Sequence, residues 1–193
     1  MFYPRTFAMP AVAVVMTFAL SACTTEEPGS TEPNASDQQE SAEEFNDADV
    51  EFTTGMIPHH QQAVVMSEMA IDQGGPEVAD LAERIQAAQD PEIETMTAWL
   101  QDWGVDVPTG MGGMGDMGMM SPGDMQDMMD AQGDQFDTIW LEMMIEHHEG
   151  AISMSRTQQN EGLNTDAVTL AGTIIDAQQS EIDEMEQMLG SDQ

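Results

Sequence analysis

A stretch of sixteen residues occurs twice in this chain, and its fold has to accommodate both copies. Met56, Ile57, His59, His60, Ala63, Met66 and Ser67 return 88 residues later as Met144, Ile145, His147, His148, Ala151, Met154 and Ser155. Further along, Gln89, Glu92, Ile93, Met96 and Leu100 return 89 residues later as Gln178, Glu181, Ile182, Met185 and Leu189. The repeated unit is therefore a pair of elements joined by a turn.

Both elements of the unit carry a helical period. Phe52, Met56, His59, Ala63, Met66 and Ala70 step by four and three, and Ile57, His60, Val64, Ser67 and Ile71 form a second seam beside them. Trp140, Met144, His147, Ala151 and Met154, with Leu141, Ile145, His148, Ile152 and Ser155, repeat the pattern. Two adjacent apolar seams make the wide face of a bundle helix. The partner elements run through Val78, Leu81, Ile85, Gln89, Ile93, Met96, Leu100 and Trp103, and through Val168, Ala171, Ile174 or Ile175, Gln178, Ile182, Met185 and Leu189. Four helices are predicted, over roughly 47–73, 76–103, 134–160 and 165–189. Gly74-Gly75-Pro76 ends the first and starts the second. Pro58 removes a helical hydrogen bond just before the first histidine pair and predicts a kink. Asp90-Pro91 offers a fresh helix start, but the repeat register runs through it, so the second helix is read as one kinked helix. The expected fold is all-α: a four-helix bundle, 47–190, made of two repeated hairpins joined by a longer crossover, 104–133. Residues 124–131 of the crossover carry a short helix opened by Ser121-Pro122.

Charge and cysteine usage exclude whole classes of function. The chain has 3 Lys+Arg against 37 Asp+Glu, for a net charge of −34, and its only cations are Arg5, Arg84 and Arg156. A nucleic-acid binder needs a basic footprint, and so does electrostatic adhesion to an anionic membrane. Cations are the small partners that this balance favours, although a surface of this kind also suits a salty habitat. The single cysteine, Cys23, permits no internal disulfide and no cysteine-based zinc site. It follows an apolar run, Ala11 to Leu20, too short to span a bilayer, and the small residues Ser21-Ala22. Residues 1–22 thus read as a lipoprotein signal peptide, with Cys23 acylated as the mature N-terminus. Ordinary cleavage after Ala22 is the alternative. Residues 23–46, rich in Ser, Thr, Glu, Pro and Gln, read as a flexible acidic tether. The expected location is outside the cytoplasm, at the outer face of the cell membrane or in the periplasm, held by the lipid alone.

All four histidines of the chain lie in the two repeated pairs, on faces expected to be buried. A single histidine on an apolar face is usually a packed core residue; two equivalent pairs with none elsewhere point to metal ligation. Met56 and Met66 share a seam with His59, and Met144 and Met154 share one with His147. Core packing explains helical methionines as well as ligation does. Thioether is a soft, neutral donor that favours Cu(I) or silver, while imidazole suits copper, zinc and iron. Di-iron bundles use Glu-x-x-His on two helices, and here no glutamate stands three residues before any histidine. Copper is the expected metal, as Cu(I) or as Cu(II). Methionine makes up 20 of the 193 residues, and the crossover holds Met111, Met114, Met117, Met119 and Met120 among Gly and Asp. That tract has no helical period and reads as a soft-metal capture segment, or else as a low-complexity linker. No catalytic motif is found. The readings that compete are a copper-binding protein exchanging metal with a donor or acceptor protein, a metal-dependent oxidase, and a structural lipoprotein with packed histidines.

At Met56-Ile57-Pro58-His59-His60, with Ala63, and at Met144-Ile145-Glu146-His147-His148, with Ala151-Ile152, the sequence resembles the family called domain of unknown function 305. It is similar to the CopM-type periplasmic copper-binding members of that family. Met119-Met120-Ser121-Pro122 and Phe136-Asp137 belong to the same match, which covers roughly residues 45–190. The resemblance implies a ferritin-like bundle, copper binding and a role in copper tolerance. The di-iron ligands of true ferritins are absent from the motif.

Overall fold

The computed structural model describes residues 44–110 and 118–191. Helix α1 spans Asp47–Gln73, α2 Pro76–Asp102, α3 Pro122–Asp130, α4 Asp134–Glu161 and α5 Thr165–Ser191, and the described residues contain no strand. The four long helices fall where the periodicity places them, and α3 is the short crossover helix. It starts at Pro122 because Ser121 and Asp124 form a capping box. Helix α1 runs unbroken through Pro58, and α2 through Pro91. The expected leader, 1–22, and nearly all of the expected tether lie outside the described residues.

The folded unit begins slightly earlier than the expected tether boundary. Asn46 caps α1 in a reciprocal capping box with Asp49. Phe45 stacks on Trp103 at 4.8 Å between ring centroids. The Asn side chain satisfies a helix-end amide, and the ring buries apolar area, so both residues belong to the bundle.

Helix α1 packs on both α2 and α4, and α4 packs on α5. α1 and α4 are antiparallel, because Asp49 at the start of α1 is bonded to Gln158 at the end of α4 and to Asn164 in the turn that follows it. Arg84 of α2 bridges to Glu184 of α5 at 2.6 Å on the outer surface. The residues of the expected seams are buried or half-buried except Ile71, placed on the second seam of α1, which is 37% exposed. It lies in the last turn of α1.

The core is divided. One apolar cluster gathers Met66, Leu81, Ile85, Phe136, Trp140, Met144 and Met185. A second gathers Phe52, Met56, Ile57, Met96, Leu100, Met154 and Ile174. Along α1 and α4 the histidine pairs separate the two clusters, apart from Ile152, which lies past His148 and joins the first; along α2 and α5, Gln89 with Glu92 and Gln178 with Glu181 do so. A polar layer thus crosses the middle of the bundle, with repeat-related residues on every long helix. Burying such a layer costs free energy unless its groups are paired or put to use.

Candidate metal centre

The 3.6-residue period puts His59 on the α4-facing side of α1, and His147 on the α1-facing side of α4. Their rings meet at 3.7 Å between centroids, inclined by 37°. The two copies of the motif are therefore brought together into one cluster about a local pseudo-twofold. His59 and His60 diverge on their helix, with centroids 6.5 Å apart, and His147 and His148 are 6.4 Å apart. The outer ring of each pair turns to its own hairpin partner. His60 Nε2 lies 2.8 Å from Glu92 Oε2 of α2, and His148 Nε2 lies 2.8 Å from Glu181 Oε2 of α5. All four rings are buried, while the glutamates keep 17% and 16% of their side-chain surface in solvent.

A carboxylate opposite Nε2 fixes the proton on that nitrogen and leaves Nδ1 as the lone-pair donor. Nδ1 of His60 and of His148 is buried without a hydrogen-bond partner among the described residues. Neither ring nitrogen of His147 makes a well-formed hydrogen bond there either. Burial first, then the neighbouring His59, His148 and His60, push the His147 pKa well below its ordinary value, with the His59 backbone opposing the shift as the smallest contribution. The neutral, coordinating form of imidazole is thereby favoured. Buried ring nitrogens without a hydrogen-bond partner among the described residues, as at Nδ1 of His60 and His148, fit a metal ion.

The methionines divide by position. Met56 and Met144 are fully buried, each one turn before an inner histidine, which puts them beside the ring contact. Met66 and Met154 lie seven residues past His59 and His147, about 10 Å along their helices, toward opposite ends of the bundle. The seam thus does not bring both methionines of one helix to one point. Met66 and Met154 pack in different apolar clusters. Met111, Met114 and Met117 lie outside the described residues, as does Cys23. Met119 is half-buried. Met120 and Met128 belong to the core beside Trp140 and Met66, so the expectation that the crossover methionines stand outside the core does not hold for these two. Their backbone is seated on the bundle, and an apolar side chain so placed is driven inward.

Among the described residues, no three His, Cys, Asp or Glu side chains converge as a metal-binding group. The side chains that meet are the imidazoles of His59 and His147. Sequence reasoning missed Glu92 and Glu181 as parts of the site. It looked for a glutamate on the histidine helix, whereas these carboxylates come from the next helix of each hairpin. Their signal was present, since both occupy matched positions of the repeat.

A family model described as Domain of unknown function (DUF305) matches residues 49–189. Solved structures of the same fold include a DUF305 protein from Streptomyces coelicolor described as secreted. It is 31% identical, with a TM-score of 0.69, over 75% of this chain and 93% of that one. CopM in its Cu(II)-bound form is 33% identical, with a TM-score of 0.66, over 74% of this chain and 96% of that one. CopM in its Cu(I)-bound form is 31% identical, with a TM-score of 0.65 and the same coverage. No curated protein matches the sequence.

Proposed function

The chain belongs to the DUF305 family, and on that premise we propose that it is an extracytoplasmic copper-binding protein whose metal is held in the middle of the bundle. The observation that carries this reading is the contact between His59 and His147 inside the polar layer. The similarity to CopM, solved with Cu(I) and with Cu(II), supports copper as the metal. His59, His147, Met56 and Met144 are the inner donors; His60 and His148, oriented by Glu92 and Glu181, are the outer ones. Two imidazoles with thioethers favour Cu(I), and neutral donors in a dry core favour the singly charged ion over the doubly charged one. Met66 and Met154, and the crossover methionines Met111, Met114, Met117, Met119 and Met120, complete the soft-donor set. Sequestration or delivery to an acceptor protein is the role that this donor set suits. Residues 1–22 export the chain, Cys23 anchors it through lipid, and residues 24–43 tether the bundle to the membrane.

A double-mutant cycle tests the centre. His59→Ala and His147→Ala should each weaken anaerobic Cu(I) binding, and the double variant should lose less than the sum of the two. Additive losses would mean two independent sites, one per repeat. Unaltered binding would remove the histidines from the site.

A further inference from the structure

The two repeats differ at one equivalent pair of positions in a way that the metal centre does not explain. Three residues after His59 stands Gln62; three residues after His147 stands Gly150. Gln62 is buried at 4% exposure, and both ends of its amide are used. Its Nε2 donates to the Met120 carbonyl at 2.9 Å, and its Oε1 accepts from the Met120 N–H at 2.7 Å. On the other helix, the crossover backbone lies directly against α4. Gly118 has φ +76°, and a Cβ there would sit 2.7 Å from the Glu146 carbonyl oxygen and 3.0 Å from Gly150 Cα. Only glycine permits that conformation and that approach.

These two attachments lie on opposite sides of the His59–His147 contact. α1 and α4 are antiparallel, so a step of three residues from each histidine goes about 4.5 Å in opposite directions. Gly118 is against α4 beyond His147, and Met120 is held by α1 beyond His59. The residue between them, Met119, crosses the pseudo-twofold where the rings meet. The side it covers is the one turned away from α2 and α5. His60 faces α2 through Glu92, and Gln62, two residues on, points about 200° away from it around the helix. The same rotation separates Gly150 from the α5-facing His148.

We propose that Gln62 is a positioning residue that straps residues 118–120 across the inner histidines, and that this strap controls the rate at which a soft metal ion enters and leaves them. The inference rests on the copper reading of the histidine layer. α2 and α5 close one side of that layer, and the strap closes the other. An ion approaching from the side away from α2 and α5 passes Met119, a thioether at the mouth of an imidazole site. Gln62 is suited to the task because one amide satisfies both backbone groups of Met120, as a neighbouring strand would. Gly150 then provides the clearance that a second side chain of that size would fill.

The experiment uses the full chain under anaerobic conditions, with Cu(I) as the probe. Gln62→Leu keeps the bulk and removes both hydrogen bonds. Gly118→Ala dislodges the strap from α4 without altering α1. In each variant the Met120 amide should lose its protection from hydrogen exchange. Cu(I) loading, and release to a Cu(I) chelator, should both quicken about tenfold, the factor that corresponds to about 1.4 kcal/mol of lost strap stability. The equilibrium Cu(I) affinity should stay within about twofold, because loading and release share one barrier. Lost protection with unchanged rates would overturn the strap. So would a fall in affinity with no change in loading rate, which would make residue 62 part of the binding set. An unprotected Met120 amide in the unsubstituted protein would overturn it as well. Absence of Cu(I) binding by the unsubstituted protein would overturn the copper reading along with the strap, whereas binding with unaltered rates would overturn the strap alone.

Discussion

A buried imidazole resists protonation, and His147 shows what that does to stability. Burial and three neighbouring histidines hold its pKa well below the ordinary value in the folded chain. The unfolded chain carries it near 6.5. The sign follows: as pH falls through about 6.5, the unfolded state takes up a proton that the native state refuses, so stability present above that pH is progressively lost below it. The loss from this one group is about 1.4 kcal/mol per pH unit until the native pKa is reached. His147→Gln cannot take the proton. Urea unfolding of the metal-free protein at pH 7, 6 and 5 should show a slope flatter by that amount in the variant. An unchanged slope would mean that another group carries the acid sensitivity. Glu92 and Glu181 act on the same layer from outside. Glu92→Ala and Glu181→Ala should each weaken Cu(I) binding by about 10- to 100-fold in a competition titration, the usual effect of releasing a ligand histidine. Glu92→Gln, which keeps an acceptor opposite Nε2, should lose less.

The helix pairs are locked to each other by two carboxylates at matched positions. Asp49 of α1 accepts from the backbone amides of Leu163 at 3.2 Å and Asn164 at 3.1 Å, in the turn between α4 and α5. Gln158 and the Asn46 amide also donate to it. Asp137, the counterpart on α4, accepts from Gly75 N at 2.9 Å, in the turn between α1 and α2. Each hairpin thus caps the turn of the other. A Cβ at Gly75 would lie 2.6 Å from Asp137 Oδ2, so a larger residue there has to push the carboxylate aside. The two locks differ in weight. Asp49 is fully buried with donors on several sides, so Asp49→Ala should cost about 3 kcal/mol or more, while Asp137→Ala should cost about 1 kcal/mol. The residues sit at opposite ends of the bundle, so the double variant should show the sum within about 0.5 kcal/mol. Chemical denaturation of the metal-free protein checks all three. A shortfall in the sum would show that the hairpins unlock together.

At the scale of the molecule, two donor chemistries should separate under acid. Thioether sulfur has no proton to lose or gain near neutrality, whereas imidazole is protonated below about pH 6.5. Because burial holds the His147 pKa well below that value, Cu(I) on the histidine layer should weaken only below the ordinary imidazole range, and Cu(I) on the crossover should persist there. Changing Met111, Met114 and Met117 to Leu keeps apolar bulk and leaves the strap at 118–120 intact. That variant should lose the acid-resistant fraction at pH 5 and keep the histidine fraction at pH 7, read by anaerobic titration at both values. Retention of all its Cu(I) at pH 5 would leave the tract as a linker.

The sequence by itself determined the helices, their pairing and the burial of the histidines. These depend on local periodicity and on a repeat that the chain states twice, so no long-range geometry was needed to read Met56 to Ser67 and Met144 to Ser155 as one motif. Only the tertiary structure decided which atoms face which. Helical spacing puts Met66 on the same seam as His59, but it does not say that seven residues carry it about 10 Å away into another apolar cluster. The repeat matched Glu92 with Glu181 without showing that each meets an outer histidine, because that contact depends on how two helices of a hairpin are rotated against each other. Met120 read as a free donor until the amide of Gln62, 58 residues earlier, fixed its backbone to α1. Contacts between segments far apart in sequence leave no period, and a crossover without a period shows its seat only once the bundle beneath it is folded.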